Sequence, residues 1–135
     1  MKLTILSHAS FLLEDGDVRL MTDPWIIGSC YWRSWWNYPT PPNELIRNLS
    51  PDYIYMTHLH WDHFHGPTLR KIKQKCKKSI FLIPRTPEKR LKNDLIGVVG
   101  RKSIKEINHC EKVFLNNQLS VLSFQVGPFF ADSVL

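Results

Sequence analysis

One nine-residue stretch constrains this chain more than any other: His58-Leu59-His60-Trp61-Asp62-His63-Phe64-His65-Gly66, with four histidines and one aspartate inside eight positions. It follows the apolar run Tyr53-Ile54-Tyr55-Met56-Thr57, which reads as a buried central strand, and precedes Pro67, placed as the first residue of a helix through Lys77 with Leu69, Ile72 and Cys76 facing inward. Strand, polar loop and helix make half of a βαβ unit. Imidazole and carboxylate donors suit zinc, and also iron or manganese, whereas the lack of thiolates argues against a purely structural zinc site. Residues i and i+2 of an extended segment share a side, so His58 and His60 can grip one ion, while the turn that follows swings Asp62 and His63 toward a second. The carboxyl end of a central strand is also where open α/β sheets gather ligands. The plainer alternative is a histidine-rich surface loop, or imidazoles satisfied by core hydrogen bonds.

The surrounding sequence predicts a mixed fold. Leu3 to Leu6, Ser10 to Leu13 and Val18 to Met21 read as a β-meander, with a hairpin signal at Glu14-Asp15-Gly16-Asp17. Asp23-Pro24-Trp25 ends the third strand, and a loop carrying four of the five tryptophans runs to Pro42 as a cover for the core or a wall of the site. Asn43 is the expected N-cap of a short helix through Asn48. Further on, Ser79 to Ile83 reads as a strand and Pro87 to Leu95 as a second amphipathic helix. Ser103 to Ile107, Lys112 to Leu115 and Leu119 to Val126 read as strands, the last two joined at Asn116-Asn117-Gln118, and Asp132 to Leu135 as the start of another.

With 135 residues, 43% of them hydrophobic, the chain is expected to be a single domain spanning 1–135. Cys30, Cys76 and Cys110 are odd in number and in no C-x-x-C pairing, so free thiols are expected. No apolar run approaches the ~20 residues of a membrane span, and the N-terminus lacks the core of a signal peptide, which together predict a soluble cytoplasmic protein. The formal charge of +6 is concentrated in Arg70 to Lys78 and Arg85 to Lys92. A solvated helix face accounts for it, and no aromatic or glycine pattern of a nucleic-acid module accompanies it. An anionic small-molecule substrate is compatible with this charge.

The spacing His58-x-His60-x-Asp62-His63, with the strand before it, Gly66 and a helix after it, and the early Thr22-Asp23-Pro24, resembles the signature of the metallo-β-lactamase fold. The narrower resemblance is to the branch containing N-acylphosphatidylethanolamine phospholipase D, ascorbate-phosphate lactonase and the CMP-N-acetylneuraminate hydroxylases. It rests on His8-Ala9-Ser10-Phe11-Leu12-Leu13, Asp23-Pro24-Trp25-Ile26-Ile27-Gly28 and Trp35-Trp36. This resemblance implies an α/β (α+β) fold of the αββα-sandwich type, with the first half present as a mixed sheet flanked by helices. It implies His58 and His60 on one ion, Asp62 and His63 on a second, and a metal-bound hydroxide as nucleophile, with Asp62 in a catalytic role. The expected activity is hydrolysis of a phosphoester, lactone or amide. One alternative is an iron-dependent monooxygenase like the sialic-acid hydroxylases, served by a separate redox partner because the chain begins too late to hold a Rieske segment. Another is an inactive, truncated metal-binding domain.

The resemblance also implies ligands downstream. Where a third histidine for the first ion belongs, the chain carries Gln125, Val126, Gly127 and Pro128, and Asp132 follows as a candidate acidic ligand or a turn residue. His109, the only later histidine, reads as a surface turn residue. His8 and Asp23 sit at strand ends from which they can orient ligands by hydrogen bonds, and His65 is expected to flank the site. The missing half of the sandwich is expected from a longer protein, or a second copy of the chain would cover the exposed sheet face.

Overall fold

The computed structural model describes residues 1–125 and 133–134. Three antiparallel strands open the chain, β1 (Lys2–Ser7), β2 (Ser10–Asp15) and β3 (Val18–Thr22). Asp15 pairs with Val18 across a two-residue turn in which Gly16 takes φ +57°, the arrangement of a type II′ hairpin. The tryptophan-rich segment, expected as plain loop, contains a small hairpin of β4 (Ser29–Cys30) and β5 (Trp35–Trp36). Its connection Tyr31-Trp32-Arg33 holds three successive left-handed residues, at φ 47°, 53° and 70°. Of its tryptophans only Trp25 is buried, while Trp32, Trp35 and Trp36 are exposed. Helix α1 (Asn43–Asn48) begins with Asn43 as a helical residue instead of the cap, which falls to Pro42.

The second part is a parallel βαβαβ run: β6 (Tyr53–Tyr55), α2 (Gly66–Lys75), β7 (Ile80–Pro84), α3 (Arg90–Val99) and β8 (Ile104–Ile107). The six-stranded sheet has the order β1-β2-β3-β6-β7-β8, so β6 lies parallel to β3 at its centre. Pro67 is the second residue of α2, because His65 takes the cap and Gly66 the first turn. Helix α3 starts three residues later than the proline at 87 suggested. Thr86 to Glu88 turn, Lys89 adopts a left-handed φ of 54°, and the buried stripe Leu91, Leu95, Val99 carries the helix on to Gly100.

Alternation along the central strands builds two cores. Met21, Ile54, Phe81 and Ile83 face α2 and α3, packing against Leu69, Ile72, Leu91 and Leu95. Leu20, Tyr55 and Leu82 face the other way, onto the hairpin of β9 (Lys112–Phe114) and β10 (Ser120–Leu122). The two longer helices therefore cover one face of the mixed sheet and a β-layer covers part of the other. The expected strand from Leu119 to Val126 is broken at Ser123, which is fully buried with its hydroxyl 2.8 Å from that of Tyr55. β11 (Phe124–Gln125) then pairs with β12 (Ser133–Val134).

Cys30, Cys76 and Cys110 are free thiols. No helix among the described residues is long and apolar enough to cross a membrane.

Candidate metal centre

Parallel pairing of β3 with β6 sets two side chains at the mouth of the sheet. The Asp23 amide donates to Tyr55 O at 3.0 Å, one residue beyond the ladder, and the Thr57 amide donates to Asp23 Oδ1 at 2.8 Å. Asp23 is 2% exposed, so its carboxylate requires partners, and it has them. The Thr57 hydroxyl donates to Asp23 Oδ2 at 2.6 Å, and His63 Nδ1 stands 2.9 Å from the same oxygen.

These bonds assign the imidazole tautomers. The Thr57 hydroxyl spends its proton on Asp23, so it accepts from His58 Nδ1 at 2.8 Å, and His63 Nδ1 likewise carries the proton it gives to Asp23. The inner nitrogens of both rings are thus engaged, and in a neutral ring the lone pair falls to Nε2. Their centroids are 4.1 Å apart. His58 Nε2 lies 2.8 Å from His60 Nδ1, and His63 Nε2 lies 3.4 Å from Asp62 Oδ2. The histidine loop is kept compact by His60 O, which accepts from the amides of His63 and Phe64.

His8, expected to orient ligands by hydrogen bonds, stands against Asp62 in one group with His63. Its Nε2 is 2.9 Å from Asp62 Oδ2, and the donor atoms of His8, Asp62 and His63 all lie within 4.8 Å of one another. The other oxygen of Asp62 accepts a 2.7 Å hydrogen bond from the Tyr31 hydroxyl. Burial pushes the Asp62 carboxyl upward in pKa, but the bonds from Tyr31 and from its own backbone amide, the nearby His63 and the bond from His8 outweigh it. The net shift is downward. Asp62 is thus held ionised, the form a metal requires.

The remaining candidates lie elsewhere. His65 caps α2: its Nδ1 accepts from the Thr68 hydroxyl at 2.8 Å, and its Nε2 faces Ser29 O at 3.3 Å. Thr68 in turn accepts from the amides of Ile26 and Ile27, which ties the helix to the segment after β3. His109 is exposed in a turn, against Phe124. Gln125 ends β11, and Val126, Gly127, Pro128 and Asp132 lie outside the described residues. Two participants escaped the sequence reading. Thr57 could have been found, as the polar residue closing an apolar strand directly before the first histidine. Tyr31 gave no local signal, since only the fold carries it 31 positions to Asp62.

Residues 2–125 match the beta-lactamase superfamily domain. The chain belongs to the beta-lactamase superfamily. Within the superfamily it is 43% identical over 72 residues to the inactive cytidine monophosphate-N-acetylneuraminic acid hydroxylase of Homo sapiens, a stretch covering 53% of this chain and 14% of that protein. It is equally identical over the same length to the cytidine monophosphate-N-acetylneuraminic acid hydroxylase of Pongo pygmaeus, covering 12% of it. To the Mus musculus hydroxylase it is 40% identical over 75 residues, which cover 55% of this chain and 13% of the relative. The chain spans only a small part of the length of the curated relatives it matches.

The metal that this superfamily implies finds a suitable donor set here. His8, Asp62 and His63 bring their donor atoms within 4.8 Å of one another, and His58 and His60 stand beside each other with Nε2 and Nδ1 2.8 Å apart, outside that group. Hydrogen-bonded carboxylates behind ligating histidines are the usual means of fixing ring orientation and raising donor strength.

Proposed function

We propose that this chain is the metal-binding part of a hydrolase that cleaves a phosphoester, lactone or amide in an anionic small molecule. His58, His60, Asp62 and His63 are its ligands and His8 is a further donor. The reading is supported by one arrangement: Thr57 and Asp23 engage the inner nitrogens of His58 and His63, and the outer nitrogens of the two rings face His60 Nδ1 and Asp62 Oδ2. Zinc suits this nitrogen and oxygen set, for one or two ions, and iron or manganese suit it too.

When bound, the metal supplies Lewis-acid polarisation and lowers the pKa of water. The chain does the rest. Asp62, kept ionised by the Tyr31 hydroxyl and His8, accepts a hydrogen bond from the attacking water at Oδ2 and orients it. Asp23 keeps the His63 ring from turning.

The similarity to hydroxylases favours a second reading, in which the same cluster holds iron in an oxygenase served by a separate redox partner. The name of the human relative makes an inactive metal-binding domain the third. Metal analysis of the purified chain beside a His58→Ala, His60→Ala double variant, with bis(p-nitrophenyl) phosphate and a simple lactone as substrates, separates them. The hydrolase reading requires bound metal in the parent, most of it lost in the variant, and turnover of at least one substrate. Iron without hydrolysis selects the second, metal without turnover or iron selects the third, and equal metal in both proteins removes the site assignment.

A further inference from the structure

A cleft of about 330 Å³ opens beside the histidine loop, lined by His58, by His60 and by Arg90, the first residue of α3. It is distinct from the larger groove of about 560 Å³ around Ser50 to Tyr53 and Lys75 to Ile80, which contains none of the candidate donors. Leu59 and Leu91 line the cleft, together with Tyr31 and Trp61, whose rings stack at 5.6 Å and 19°.

Arg90 makes no ion pair among the described residues, whereas Lys92, two positions on, is engaged by Glu106. A guanidinium fork matches the two oxygens of a carboxylate or phosphate, and apolar walls strengthen the attraction by thinning the water between charges. Glu88 also lines the cleft and disfavours a second negative charge on an occupant. One cleft therefore combines a cation, two candidate metal ligands and apolar lining.

We propose that Arg90 is the substrate-positioning residue of this site. It grips a single oxyanion, carboxylate or phosphate, on the substrate and lays the adjoining bond over His58 and His60. The proposal rests on the metal-hydrolase reading, and its test is built to fail separately.

Inorganic phosphate and acetate are titrated at constant ionic strength against the tryptophan fluorescence of zinc-loaded and metal-free protein, with zinc content measured on every sample. The parent is compared with Arg90→Gln, Arg90→Lys and Lys78→Gln, the last removing one positive charge from the far groove. The expected result is saturable binding of at least one anion, weakened about tenfold in Arg90→Gln and less in Arg90→Lys, and unchanged in Lys78→Gln, with zinc content equal throughout. A response to phosphate alone or to acetate alone supports the proposal and names the group. Equal affinity in parent and Arg90→Gln, or no binding of either anion, overturns it. A parent that takes up no zinc, yet loses anion binding on Arg90→Gln, supports the grip of Arg90 and sinks the metal reading alone.

Discussion

The Tyr31 hydroxyl donates a 2.7 Å hydrogen bond to Asp62 Oδ1, leaving Oδ2 turned toward His8 and His63. A residue of the β4–β5 connection thus fixes which carboxylate oxygen faces the candidate metal position. Tyr31→Phe keeps the ring on Trp61 and removes only this bond. Zinc affinity, measured by competition with a chromophoric chelator, is expected to fall roughly tenfold, the lower end of what outer hydrogen-bond partners contribute. Unchanged affinity would show that Asp62 needs no such support.

Thr57 makes a parallel case with a different readout. In Thr57→Val the buried Asp23 carboxylate loses a donor and the His58 ring loses its anchor. Urea unfolding is expected to show a loss of about 1–3 kcal/mol, the usual consequence of an unsatisfied buried polar group, together with weaker zinc binding. Thr57→Ser should restore both.

Thr68 separates folding from metal binding. Its hydroxyl, fully buried, serves the amides of Ile26 and Ile27 and the ring of His65. Thr68→Val is expected to destabilise the chain by at least about 2 kcal/mol, because several buried groups lose partners at once. Zinc bound per folded chain should stay at the parent level.

Acid sensitivity has a traceable contribution at Glu111. The backbone amide of Asn108, and then its side chain, hold the Glu111 carboxyl below its ordinary value near 4.5. The unfolded chain therefore binds this proton first. The stabilisation is full above pH 4.5 and is lost as pH falls through the lowered folded value. Glu111→Gln should be the less stable protein at pH 7, and the gap between the two unfolding midpoints should close as pH falls through the lowered folded value. A gap that is constant with pH would assign the effect to packing.

Much of the fold was legible because local pattern and tertiary demand agree. Of the run from Tyr53 to Thr57, Tyr53–Tyr55 form the central strand β6, and Met56 and Thr57 carry the chain out of the sheet toward the histidine loop. Where a strong local signal competed with a longer pattern, the longer pattern prevailed. Pro87 suggested a helix start, but the Leu91, Leu95, Val99 stripe sets α3 three residues later. Ser123 interrupts an apolar run because its hydroxyl meets Tyr55 from the opposite layer, a contact across 68 positions. The same distance effect hid the positions of Tyr31 and His8 beside Asp62, while Asp23 showed itself by standing at the end of β3.

Three bulky residues in a row, Tyr31, Trp32 and Arg33, hold a helical hand that disfavours side chains by about 1–2 kcal/mol apiece. Hydrogen bonds within the hairpin hold this turn, from Ser34 to Tyr31 O and from the Trp36 indole to Arg33 O, and the Trp61 indole and the Asp62 carboxylate brace it from outside. Turn and carboxylate are therefore one mechanical unit: whatever draws Asp62 from Tyr31 also removes an outside brace from the β4–β5 connection.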